Sequence, residues 1–135
     1  MDKNDTKGAT EEPVMAKRHA CPVAAFQKMV SGKYKLRILW DLKEGPLRYG
    51  EIKSGLLRGD LGTKEIAPRV LSRELKALLQ NGLIDRKDYG TVPPKVEYRL
   101  TRKGQSFVPV IAAIRKWGDR HLLVPVHTAS AIAAE

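Results

Sequence analysis

Between Ile66 and Leu100 the hydrophobic pattern changes period. Val70, Leu71, Leu75, Leu78 and Leu79 recur at spacings of three and four, the signature of one apolar helix side. At about 100° per residue, Arg69, Ser72, Arg73 and Lys76 gather on the opposite side. Pro68 suits the first helical position, where its missing N–H is not needed. Gly82 suits the left-handed residue that closes a helix. Glu74 falls at the edge of the apolar side and is the one residue out of pattern. Further on, Val96, Tyr98 and Leu100 alternate with Lys95, Glu97 and Arg99, the period of a half-buried strand. Leu83 to Tyr89 is its partner, and Gly90 with Pro93-Pro94 marks the loop between them. The pattern predicts a helix with one basic face, then a two-stranded ribbon with Arg86, Lys87 and Lys95 towards its tip.

The flanking segments read as further helices. A short one starts at Cys21-Pro22, carries Ala24, Ala25, Phe26, Met29 and Val30, and stops at Gly32. Lys33 to Lys43 follows, apolar on most sides through Leu36, Ile38, Leu39, Trp40 and Leu42, as expected of a central core helix. Gly45-Pro46 breaks it, and Leu47 is placed to pair as a short strand beside the ribbon. Arg48 to Leu57 is a helix with Tyr49, Ile52 and Leu56 on one face, weakened by Gly50 and Gly55. The connection from Arg58 to Glu65 is long for a tight turn. Thr101 caps a last helix from Arg102, with Pro109 as a candidate kink. Its apolar stripe is Phe107, Val110, Ile111, Ile114 and Trp117.

Charge narrows the function classes. The chain has 135 residues and a net charge of +10, and residues 21–121 hold 21 basic against 10 acidic side chains. The excess therefore lies in the folded part, as a polyanion binder requires. Residues 1–20 balance their charges, lack periodicity and read as a disordered tail; residues 122–135 read as a second tail. There is no long apolar span, lipidation signal or signal-peptide core, which points to a cytoplasmic protein without a membrane partner. A single cysteine excludes an intrachain disulfide and a cysteine-rich zinc site. His19, His121 and His127 are far apart and read as surface or tail residues. No phosphate loop, nucleophile elbow or paired metal-ligand motif is present, so neither an enzyme nor a cofactor is expected.

The expected fold is mainly α with a small β-hairpin wing, a winged helix-turn-helix. A helix fits the DNA major groove, and a charged ribbon beside it holds the flanking backbone. Base reading falls to Arg69, Ser72, Arg73 and Lys76, with either arginine able to take guanine O6 and N7. Lys33, Lys35, Arg48, Lys53, Arg86, Lys87 and Lys95 are the candidates for phosphate contact. The bland alternative for the helix is a solvated charged face, and for the ribbon an edge strand protected by lysines. The stripe on the last helix exceeds what a small domain can cover. A second subunit is the natural cover, with Phe26, Phe107, Val110, Ile111, Ile114 and Trp117 in the interface; folding back on its own domain is the alternative. A two-fold dimer would set recognition helices ~34–36 Å apart on a pseudo-palindromic operator.

Three strings carry a family resemblance: CPVAAFQKMVSGKYKLRILWDLKEGPLRYGEI, VLSRELKALLQNGLIDR and VPPKVEYRLTRKG. In this order, from about Cys21 to Trp117, the chain resembles the HxlR-type winged helix-turn-helix regulators of bacteria and archaea. The resemblance implies a dimeric repressor or activator, joined through its first and last helices and without enzymatic activity. It aligns Arg69, Ser72, Arg73 and Lys76 with the recognition helix and Thr91 to Lys95 with the wing tip. Two features depart from the pattern. Ala67-Pro68 stands where the family usually has a Ser or Thr cap, and the segment from Arg58 to Glu65 is several residues longer.

Cys21 stands at a helix N-terminus beside Lys17 and Arg18, where the helix dipole and nearby cations favour a reactive thiolate. Oxidants and small electrophiles are its candidate partners. Members of the resembled family often carry a cysteine here, and some sense quinones, aldehydes or disulfide stress through it. The plain alternative is a small buried hydrophobe. The rival function from another class is a winged-helix protein–protein module, which would not need the basic face around Arg73.

Overall fold

The computed structural model describes residues 21–59 and 64–123. Expectations placed on the terminal tails beyond these limits, on His19 and His127, and on the centre of the 58–65 connection lie outside them. The chain divides into two compact units, one up to Lys33 and one from Tyr34 onward. In the first, helix α1 (Pro22–Met29) begins with Pro22 in the first turn, after an extended Cys21. Phe26 and Met29, with Val30 at its C-cap, are its half-buried positions.

The second unit runs through α2 (Lys35–Asp41), a 3-10 turn (Leu42–Glu44), β1 (Leu47–Arg48), α3 (Tyr49–Gly59), α4 (Pro68–Gln80), β2 (Ile84–Asp88), β3 (Val96–Leu100) and α5 (Arg102–His121). Helix α2 touches α3, α4 and α5, and its Ile38 and Leu39 are fully buried. It is therefore the central helix, although shorter than the apolar run Lys33 to Lys43. It tightens into the 3-10 turn and stops at Gly45, whose φ of 144° only glycine adopts readily. Ile38, Leu39, Leu42, Ile52, Leu56, Leu71, Leu78, Leu83 and Ile84 fill the core. Its fully buried side chains are aliphatic, with Tyr34 and Phe107 at its edge, in keeping with a chain of 6% aromatic residues.

Helix α3 keeps its glycines for different reasons. A Cβ at Gly55 would sit 2.7 Å from Asp41 Oδ2, whereas one at Gly50 would meet open space. Gly55 thus lets α3 approach α2, and the weak helix former marks a contact rather than a weak helix. Glu51 accepts a hydrogen bond from the Arg48 N–H (2.8 Å), covering a donor at the start of α3.

The three strands form an antiparallel sheet in the order β1-β3-β2. Leu47 and Arg48 pair with Tyr98 and Glu97, and Ile84 to Asp88 run against Leu100 to Val96. The ribbon ends at Gly90, with φ at 65°. Its strands lie within a residue of their sequence limits, but burial does not alternate along β3. Every residue of that strand is half-buried, because it is the central one.

The end of α4 and the start of α5 are fastened together. The Gly82 N–H donates to Leu79 O and the Leu83 N–H to Leu78 O, both at 3.0 Å, closing α4 in a Schellman turn with φ of 71° at Gly82. Leu78 and Leu83 bury the accompanying apolar contact. Thr101 Oγ1 accepts from the Gly104 N–H (3.0 Å) and donates to Gly82 O (2.6 Å). Lys103 Nζ donates to Asn81 O (2.8 Å). Gly104 lies so close to Leu83 that a Cβ there would come within 2.1 Å of the Leu83 carbonyl oxygen.

Candidate nucleic-acid interface

Helix α4 separates its two faces cleanly. Leu71, Leu75 and Leu78 are buried, while Arg69, Ser72, Arg73 and Lys76 are exposed. Among the described residues no carboxylate forms an ion pair with Arg69, Arg73 or Lys76. The helix has no acidic residue in its first turn and no side-chain cap at Ala67. Arg69 therefore adds a cation to the positive end of the helix dipole, which does not stabilise the helix but suits an anion docking there.

Glu74 is only 4% exposed and finds its partner 39 positions away, in the ammonium group of Lys35. This explains the residue that broke the apolar pattern. It also corrects the expectation for Lys35, whose side chain is turned inward to neutralise a buried carboxylate rather than offered to phosphate. Lys33 is exposed but belongs to the first unit, and Lys53 is half-buried on α3.

The sheet register sorts the remaining cations. Lys87 pairs across from Glu97 and Arg48 from the same Glu97 on the other edge, while Asp85 faces Arg99. The Tyr89 N–H donates to Lys95 O (2.9 Å), so these two are also opposite each other. Alternation along strands then puts Arg48, Asp85, Lys87, Tyr89, Lys95, Glu97 and Arg99 on one outer face. Arg86 faces Tyr98 and shares its row with buried Ile84, so it projects from the other side of the ribbon. The sequence placed Arg86, Lys87 and Lys95 together at the tip; the pleat separates the first from the other two.

At the centre of this face the Tyr89 hydroxyl donates to Glu97 Oε1 at 2.7 Å. That hydrogen bond, helped by Lys95, Arg99 and Arg48, holds the Glu97 carboxyl below the usual carboxylate value. The same bond, then burial and the Glu97 charge, push the Tyr89 phenol above its ordinary 10.0. Arg99 lies 3.9 Å from Glu97. Four cations thus share this face with two carboxylates, Glu97 and Asp85, leaving it net positive.

Helix α5 does not present its stripe as one surface. Phe107 and Ile111 are 8% and 6% exposed and belong to the core of their own unit, which corrects their assignment to an interface between subunits. Val110, Ile114 and Trp117 are 45%, 42% and 56% exposed and lie along one side of the same stripe. Ile114 also borders an apolar cleft of about 310 Å³ with Leu36, Trp40 and Leu123. The Trp117 ring rests against His121 at 4.9 Å. Cys21 is exposed and free. Among the described residues no group of three histidine, cysteine or acidic side chains is placed to hold a metal, and no helix is long and apolar enough to cross a membrane.

A helix pair whose second member carries an outward cationic row, followed by a basic antiparallel wing, defines a winged helix-turn-helix protein. The chain belongs to the HxlR-like helix-turn-helix family, which it matches over residues 29–124. An HTH-type transcriptional regulator of Methanothermobacter thermautotrophicus is 39% identical over 103 residues, 76% of this chain and 73% of the relative. A solved MarR-family regulator from Porphyromonas gingivalis W83 is 38% identical, with a TM-score of 0.67 over 77% of this chain and 95% of its own. The redox regulator HypR in its oxidised form is 30% identical, with a TM-score of 0.66 over 77% of this chain and all of its own. The chain is a helix-turn-helix transcriptional regulator, a class that works by DNA binding and not by catalysis.

Proposed function

We propose that this protein is a homodimeric, sequence-specific regulator that reads a pseudo-palindromic operator from the cytoplasm. The observation that carries the reading is the outward cationic row of α4, which no carboxylate among the described residues pairs. Arg69 and Arg73 take guanine edges, Ser72 and Lys76 make adjoining base or phosphate contacts, and the leucines behind them fix the helix. Arg48, Lys87 and Lys95 on the outer sheet face, with Arg86, Lys53 and Lys33, neutralise phosphates and set register. Val110, Ile114 and Trp117, together with Phe26 of α1, are the apolar residues offered to a second copy. The domain so defined spans residues 21–121, between tails.

The test is Arg73→Ala on operator and random duplexes. A bidentate arginine–guanine contact contributes ~1–3 kcal/mol of discrimination, so operator affinity falls about 5- to 150-fold while random-duplex affinity changes little. Equal losses on both duplexes would make Arg73 a phosphate contact.

Cys21 is the proposed point of control. It is exposed, stands at the N-terminus of α1 and is the chain's one cysteine. A two-electron oxidant converts its thiol to a sulfenic acid, which condenses with a second thiol and releases water. That thiol is Cys21 of a second copy or a small cellular thiol; an electrophile would alkylate Cys21 instead. The likeness to a redox regulator supports this reading. Oxidant should change operator affinity of the wild type and leave Cys21→Ser unaffected; an identical response in both would remove Cys21 from control.

A further inference from the structure

Lys87 lies on β2 and Lys95 just before β3, yet their ammonium groups lie over one ring. Lys87 Nζ is 4.7 Å and Lys95 Nζ 4.4 Å from the centroid of Tyr89. Both distances are within cation–π range, and tyrosine is one of the rings that attract ammonium groups. The ring is itself fixed. Its hydroxyl is tied to Glu97 on the neighbouring strand, and its backbone is hydrogen-bonded to Lys95. Two long side chains that would otherwise sample many rotamers are therefore gathered beside Arg48 and Arg99 on the outer sheet face.

We propose that Tyr89 is a positioning residue of the wing, whose ring holds Lys87 and Lys95 together as a clamp for adjacent phosphates of one DNA strand. This rests on the reading of the protein as a DNA binder. Free lysines would lose side-chain entropy when they meet phosphate. Lysines already gathered on a ring lose less, so the ring adds affinity without touching DNA. The number of phosphates neutralised is set by the lysines, and the strength of each contact partly by the ring.

These two quantities separate in a salt titration. A fluorescent random-sequence duplex is titrated with full-length wild type, Tyr89→Phe, Tyr89→Leu and Lys95→Ala at several salt concentrations, with thermal unfolding of each protein alongside. Lys95→Ala should flatten the dependence of log affinity on log salt by about 0.9, one phosphate contact. Tyr89→Leu should weaken binding about 2- to 5-fold for each lysine released, at every salt concentration, and keep the wild-type slope. Tyr89→Phe retains the ring and should bind within about twofold of wild type. Wild-type affinity in a folded Tyr89→Leu protein, or an equal loss in Tyr89→Phe, would overturn the role of the ring. A wild type that does not bind duplex at all would instead remove the DNA-binding reading, and this inference with it.

Discussion

The junction of α4 with α5 and the wing that loops out from it are joined by the same strands but held by different forces. At the junction, backbone meets backbone: Gly104 rests against the Leu83 carbonyl, and one hydroxyl, that of Thr101, serves two helix ends. On the outer face of the wing, position is set by side-chain charge and a half-buried aromatic ring. The junction tolerates almost no change in shape and contributes stability. On the proposed reading the wing tolerates changes of shape and contributes affinity. Substitutions in the two regions should therefore fail in different assays.

The largest effects belong to Gly104→Ala and to the loss of Lys35. The added Cβ would stand 2.1 Å from a backbone oxygen that cannot swing aside. A forced shift of this kind costs about 3 kcal/mol, and chemical denaturation should show it, although alanine is the better helix former. Stability equal to wild type would mean that α5 can slide off the Leu83 carbonyl without penalty.

Lys35→Met should cost a similar amount. It leaves the Glu74 carboxylate buried without its ammonium partner. Removing one member of such a pair costs about 3 kcal/mol, while replacing both by apolar residues is close to neutral. Lys35→Met with Glu74→Leu should thus recover most of the lost unfolding free energy, and failure to recover would show that Lys35 stabilises through other neighbours. Thr101→Val then tests the shared hydroxyl. It removes the cap of α5 and the donor to Gly82 O, for about 1–2 kcal/mol in the same denaturation assay.

The ends of these elements were legible in the chain because local chemistry sets them. Pro68 and Gly82 bracket α4, Thr101 starts α5, and Gly45-Pro46 stops the core helix, each through its own backbone or side chain. What the pattern did not reveal depends on residues distant in sequence. Glu74 looked misplaced until Lys35, on another helix, supplied its charge. The stripe on α5 has one hydrophobic period but two destinations, since burial of Phe107 and Ile111 depends on where α2 lies and not on spacing. Gly104 left one signal. A glycine at the third position of a helix is a poor helix former there, a sign of close approach that the hydrophobic pattern alone did not use. Within the candidate site the cationic row of α4 was readable from periodicity alone. Arg86 was grouped with Lys87 and Lys95 by proximity, although the pleat of a strand sends neighbours to opposite faces.

Substitutions in the wing should leave unfolding almost untouched. Lys87→Ala lies on the exposed outer face, where a change is worth within about 0.5 kcal/mol, yet it should flatten the salt dependence of duplex binding by about 0.9. A junction variant such as Thr101→Val should do the reverse, losing stability while the folded protein keeps the wild-type salt slope. Equal slopes for Lys87→Ala and Thr101→Val would erase the distinction between the two regions.

The smallest effect is one of pH, and its sign follows from the hydrogen bond at the centre of the wing. The Tyr89 hydroxyl, with Lys95, Arg99 and Arg48, lowers the Glu97 carboxyl below its unfolded value. A group lowered on folding stabilises the native state above its unfolded pKa and loses that contribution as pH falls through the lower folded value. The Tyr89 phenol is raised by the same bond, so its contribution is complete below 10.0 and disappears as pH rises through the higher folded value. Wild type should therefore unfold at a slightly higher temperature than Tyr89→Phe across the neutral range, and the two curves should converge at both extremes. Because both groups lie at the surface, the separation is small beside that of Gly104→Ala. Two curves that stay parallel through the acid limb would mean that the Tyr89–Glu97 bond does not distinguish the charged carboxylate from the neutral acid, and that Glu97 is held by the surrounding cations alone.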